Sequence, residues 1–285
     1  MNDLDRLADE LEQLNRDAMA KGTGLEALLR LMAGRQASDL LLVAGEPPVL
    51  RVHGALLRLE AALLDGDDIE QMVRPMLPAH AQRAFRDSGI ADASIRLPVI
   101  GRFRVNLHFE RGRAAAVIRM LPSLVPRLAS LNLPTGTEAL SRLSSGLVLI
   151  GGATGSGKTT TMAALVEEIN RRDAKHIITI EAPIEFEHTN QRSVIQQEEV
   201  GIDAPDFPTA LRSALRQAPD VIVIGEMRDT ETMRIALAAG ETGHLVFSTL
   251  HTTDMPSTIA RLTDSFPAER QPTVRQEIAA ALSAV

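Results

Sequence analysis

The chain has 285 residues, enough for two domains of ordinary size. It contains no Cys, Trp or Tyr, which excludes disulfides, thiolate catalysis and Cys-ligated metals and leaves little for stacking on single-stranded nucleic acid. The net charge of −7 argues against nucleic acid as a dominant partner.

The acidic start MNDLDRLADELEQ lacks the basic and apolar regions of a signal peptide. No apolar run is long enough to span a bilayer, so a cytoplasmic chain is expected. Leu4, Leu7, Leu11, Leu14 and Met19 recur among charges and predict an amphipathic helix over 4–19, within an N-terminal extension, 1–22. A first domain is expected over 23–120. Thr23 and Glu26 suggest a capping box opening a helix through LEALLRLMAGRQA. Residues 39–43 and 49–53 read as strands around Gly45-Glu46-Pro47-Pro48, and 67–77 and 79–86 read as helices.

The clearest strand of this half is 102–109. Phe103, Val105, Leu107 and Phe109 alternate with Arg102, Arg104, Asn106 and His108. Arg111-Gly112-Arg113 turns the chain into a second strand over 114–120, with Arg119 near its end. Three prolines and no clear period mark 121–136 as an interdomain linker. From 137 onward apolar strands (147–150, 177–180, 221–224, 245–249) alternate with helices (158–171, 207–216, 230–239), the pattern of a mostly parallel sheet covered on both faces. The Ala-rich stretch 273–285 reads as a helix without a stop signal, as if the chain ended in mid-element.

Gly152-Ala153-Thr154-Gly155-Ser156-Gly157-Lys158-Thr159-Thr160 contains G-x4-G-K-[ST] between an apolar strand and a helix. Glycines there let backbone N–H groups converge on phosphate oxygens at the positive end of the helix. Lys158 reaches the outer phosphates of a nucleotide, and the Thr159 hydroxyl suits Mg²⁺. The run Val221–Ile224 ends in Gly225-Glu226, a carboxylate at the end of a strand where ligands of α/β sheets bind. Glu226 would act on Mg²⁺, through water. The acids of Glu181-Ala182-Pro183-Ile184-Glu185 follow another strand and, by themselves, read as a solvated turn more readily than as a site. His244 and His251 flank the strand 245–249, and spacing alone does not decide between them. The arginines of 102–109 fit either anion binding or an exposed basic face.

Together, GGATGSGKTTT, IITIEAPIEFEH, ALRQAPDVIVIGEMRD and AGETGHLVFSTLHTTD resemble, in order, the Walker A, Asp-box, Walker B and His-box motifs of the type II/IV secretion and type IV pilus ATPases. QASDLLLVAGEPPVLRVHG and GRFRVNLHFERGRAAAVIRMLP resemble the same family's N-terminal domain. The resemblance spans about 25–285 and is greatest to the PilT-type retraction branch, since the zinc module of assembly members needs cysteines that are absent here.

The resemblance implies an α/β fold: a RecA-like P-loop NTPase core over 137–285, joined to an α+β PAS-like domain and lacking its C-terminal helices. It implies a homohexamer hydrolysing ATP with Mg²⁺, peripheral to the inner membrane through a platform protein, with a paralogous ATPase as a further partner. Glu185 then matches the residue orienting the attacking water, Glu226 the Walker B glutamate and His251 the γ-phosphate sensor. Arg102, Arg104 and Arg119 match arginines that reach the nucleotide phosphates. The family usually has Asp at Ala182 and His within the segment Ser38–Leu42, and both departures put turnover or force production in question. The readings left open are retraction motor, assembly or secretion motor, and poorly hydrolysing accessory subunit.

Overall fold

The computed structural model describes residues 24–285, so the helix read over 4–19 and Thr23 lie outside the described residues. The chain divides between Ser123 and Leu124 into two compact units.

The first unit opens with α1 (Leu25–Gly34) and continues through β1 (Asp39–Leu42), β2 (Val49–Val52), β3 (Ala55–Arg58), α2 (Gly66–Val73), α3 (Ala79–Ser88), β4 (Ile90–Leu97), β5 (Gly101–Glu110) and β6 (Arg113–Leu121). Its strands form one antiparallel sheet, ordered β3-β2-β1-β6-β5-β4. Alternation sorts the faces. Phe103, Val105 and Leu107 join Leu40, Leu42, Ile118, Leu29 and Ile69 in a buried core under the helices. The expected capping box is not what starts α1: Gly24 occupies the N-cap with no side-chain bond, and Glu26 pairs with Arg30 one turn on, at 2.7 Å.

The second unit holds β7 (Gly146–Gly151), α4 (Lys158–Arg172), β8 (His176–Glu181), β9 (Val194–Glu199), α5 (Phe207–Ala214), β10 (Val221–Ile224), α6 (Thr230–Glu241), β11 (Leu245–Leu250), α7 (Met255–Asp264), α8 (Gln271–Ala281) and β12 (Leu282–Ala284). The sheet is parallel throughout, ordered β12-β7-β11-β10-β8-β9. Val148, Ile177, Val221, Val223 and Phe247 pack on α4, while Leu147, Leu149, Ile178, Ile222 and Val246 pack on the opposite face with α5, α6 and α8. Uninterrupted apolar strands are what burial of both faces requires. Of residues 121–136, read as linker from their prolines, Leu121 still belongs to β6, and a short turn at Leu128–Ser130 buries Leu128 in the α4 layer.

The helix expected over 273–285 stops at Ala281. Leu282 and Ala284 instead pair beside Leu147 and Val148 as an added parallel strand. The Ala-rich composition hid this, because the strand is only three residues long.

Candidate functional site

In a parallel sheet all strands end on one edge, and here the chain order of the motifs becomes spatial order across that edge. Gly151 of β7 lies opposite Leu250 of β11, Ser248 opposite Ile224 of β10, and Ile224 opposite Ile180 of β8. The loop 152–157, His251, Glu226 and the acids after β8 therefore follow one another along a single edge.

The Gly-rich loop is shaped by its own glycines. Gly155 and Gly157 have φ of +77° and +95°, where L side chains are strained, and Gly157 sets the entry to α4. A Cβ on Gly152 would stand 2.4 Å from the Ser156 hydroxyl oxygen, so that hydroxyl would have to turn away to admit one. Lys158 is buried, and its ammonium donates to the carbonyls of Gly152 and Ala153, both at 2.9 Å. Those bonds bend the lysine back over the loop, with its positive charge at the N-terminal end of α4. Gly151 is likewise confined, since a Cβ would meet the Thr252 hydroxyl at 2.8 Å. The loop after β7 and the loop after β11 thus pack directly on each other.

Glu226 sits in a turn fixed from both sides. The Thr249 hydroxyl donates to the Gly225 carbonyl at 2.6 Å, and Asp229 caps α6 by accepting the Thr232 N–H at 2.8 Å. One carboxylate oxygen of Glu226 lies 3.6 Å from the His251 ring and 2.7 Å from the Arg228 guanidinium. His251 leads into α7, whose N-cap Asp254 accepts the Ser257 N–H at 2.7 Å. Each cap contributes about 1 kcal/mol and fixes where the preceding residue points. Arg228 was not singled out from the sequence, since a turn arginine carries no motif signal.

His244 does not join this edge. It lies before β11 at the far end of the sheet, its backbone N–H and ring nitrogen against the Ala239 carbonyl at 3.1 and 3.3 Å. A parallel strand separates the two histidines by its whole length, which spacing could not reveal.

At the end of β8, Glu181 is buried and accepts bonds from the Thr179 hydroxyl at 2.7 Å, the Gln197 side chain at 3.3 Å and the Glu185 backbone N–H. Burial pushes its carboxyl above the usual carboxylate range. With Thr159, Thr179, Phe186 and His188 it lines one small cavity under the start of α4. Glu185 is half-exposed on the loop that follows.

In the first unit, register aligns Arg51, Asp39, Arg119, Arg104 and Ser94 across neighbouring strands on the face away from the core. Buried Asp39 accepts the Arg119 Nε at 2.8 Å and lies 3.5 Å from Arg51, and Arg104 lies 3.5 Å from Asp92. Arg102 stands two residues from Arg104 on the same face, opposite Arg96. This face holds more guanidinium than carboxylate and suits an anion.

A glycine-shaped loop and buried lysine at a helix start, with a carboxylate–histidine pair on the same sheet edge, define a P-loop nucleoside triphosphatase. The family model for the Type II/IV secretion system protein matches residues 97–285. The chain belongs to that family of ATPases. It is 43% identical over 258 residues to the type IV pilus retraction ATPase PilT of Pseudomonas aeruginosa, covering 90% of this chain and 75% of the relative. It is 41% identical over 261 residues to the protein YggR of Escherichia coli, covering 92% and 79%. The crystal structure of a pilus retraction motor PilT with bound ADP superposes with a TM-score of 0.83 at 40% identity, over 90% of this chain and 76% of that one.

Proposed function

We propose that the protein is a ring-forming motor that couples ATP hydrolysis to movement between its two units and so drives type IV pilus retraction. The observation that carries this reading furthest is the Glu226–His251 pair on the sheet edge that also bears Lys158. Similarity to a pilus retraction ATPase across nine-tenths of the chain supports the direction of work.

In this reading the N–H groups of 152–160 and the Lys158 ammonium bind the nucleotide phosphates. Glu185 orients the attacking water. Glu226 acts on Mg²⁺ through water, and His251 reports the γ-phosphate to the Glu226 turn. Arg102, Arg104 and Arg119 supply positive charge to the phosphates from the first unit. Among the described residues no group of three or more His, Asp or Glu side chains is placed to hold a metal. The hydroxyl of Thr159 and the carboxylate of Glu226 are hard oxygen donors of the kind that suits Mg²⁺, which keeps several waters and takes its remaining ligands from one or two protein oxygens and substrate phosphates. Thr159 and Glu226 would hold it, and it would neutralise charge on the phosphates. The working form is a homohexamer acting on an inner-membrane platform protein, with a paralogous ATPase as a further partner.

A deletion strain tests the direction. Persistent surface pili with lost twitching support retraction, whereas loss of surface pili selects an assembly motor of the same family.

A further inference from the structure

The loop between β8 and β9 carries Glu185, and the strand that follows it holds that loop in place. We propose that Gln197 is a positioning residue for Glu185, an assignment that rests on the reading of Glu185 given above.

β9 is one of the two edge strands of the sheet, and its polar residues could have faced solvent. Gln197 turns the other way. It pairs beside Thr179, on the face that Ile177 and Ile195 present to α4. Its side-chain oxygen accepts the His188 N–H at 2.8 Å. Its side-chain nitrogen donates to the Phe186 carbonyl at 2.9 Å and to the Glu181 carboxylate at 3.3 Å. Both ends of the amide are thus used on the three residues that bracket Glu185. The Glu181 carboxylate completes the link by accepting the Glu185 backbone N–H. Two residue pairs further along, Glu199 accepts the Ile184 N–H at 3.1 Å, so the loop is tied on the N-terminal side of Glu185 as well.

Neither Gln197 nor Glu181 need touch the nucleotide for this. Gln197 bonds Glu181 and the backbone at 186 and 188, and Glu181 bonds the backbone of Glu185. Their combined effect is to fix where Glu185 stands, and an error of about 1 Å in such a group costs on the order of 100-fold in rate. An outward-facing polar strand residue would leave this rate untouched.

The test uses steady-state ATP turnover and ADP affinity of the full chain for Gln197→Leu, Glu185→Gln and the double variant. Gln197→Leu should lower kcat about 10- to 100-fold, with KM and ADP affinity changed less than about threefold. The double variant should match Glu185→Gln alone, because Gln197 acts only through Glu185. A loss equal to the product of the two single effects, or a Gln197→Leu protein with undiminished kcat beside an inactive Glu185→Gln, overturns the positioning role alone. A Glu185→Gln protein that turns over normally overturns the Glu185 assignment and the proposal with it. Should Gln197→Leu fail to fold, Gln197→Glu carries the same expectations, because it keeps the size and the acceptor and loses the donor.

Discussion

The His251 ring lies 3.6 Å from the Glu226 carboxylate, two side chains from turns after neighbouring parallel strands. Neither turn is free to drift, since Thr249 ties one and Asp254 caps the next helix. A change at one residue is therefore felt at the other. His251→Ala should lower kcat about 100-fold, the scale of losing one preorganised donor at a developing charge. Nucleotide affinity, read by titration with a fluorescent ADP analogue, should stay near wild type.

Lys158 makes its two bonds within the Gly-rich loop proposed above to bind phosphate. Lys158→Ala removes a charged donor contributing about 1.5–3 kcal/mol to an anion, hence roughly 10- to 150-fold in affinity. The same titration measures it. Thr154→Ala keeps the lysine and should weaken binding far less.

Both halves of this site were partly legible in the sequence, and the reasons differ. Apolar runs ending in Gly or an acid announced β7, β8 and β10, because strands buried on both faces tolerate little else. β9 escaped because Val-Ile-Gln-Gln-Glu-Glu reads as polar, its inward Gln197 and Glu199 serving the loop rather than the core. β3 escaped because all four of its residues are exposed. β4 alternates with small alanines, which give a weak pattern although Ala91 and Ala93 are buried. Spacing alone left His251 and His244 equivalent; the motif resemblance favours His251, and strand direction sets the two at opposite ends of the sheet. The arginine face was visible as alternation, yet its tie to Asp39 crosses 80 positions of chain and depends on the β1–β6 pairing.

Gly66 opens α2 where that helix presses on β6. A Cβ there would lie 2.9 Å from the Arg113 Cβ and 3.0 Å from the Ala114 nitrogen, contacts that backbone cannot relieve by a rotamer change. Gly66→Ala should destabilise the first unit by about 1–3 kcal/mol, the usual cost of overpacking. Chemical denaturation followed by far-ultraviolet circular dichroism measures it, and ADP affinity in the second unit should be unchanged.

His188 is buried against Glu167 at 3.2 Å, and burial holds its imidazole below the ordinary value of about 6.5 despite that carboxylate. The unfolded chain then binds a proton that the folded chain resists. Stability from this group is complete above the unfolded value and is lost as pH falls from there through the folded value. Tm measured from pH 7.5 down to 5.5 should therefore fall more steeply for wild type than for His188→Gln. Parallel curves would contradict it.

If the edge bearing Lys158, Glu226 and His251 hydrolyses ATP, loss of the Glu226 carboxylate separates turnover from binding. Phosphate release at saturating ATP, compared between the wild-type chain and Glu226→Gln with ADP affinity measured on the same samples, tests it directly. The predicted result is steady turnover by wild type, and a variant that binds within a few-fold of wild type yet turns over about 100-fold more slowly. A Glu226→Gln protein that releases phosphate at the wild-type rate would contradict it.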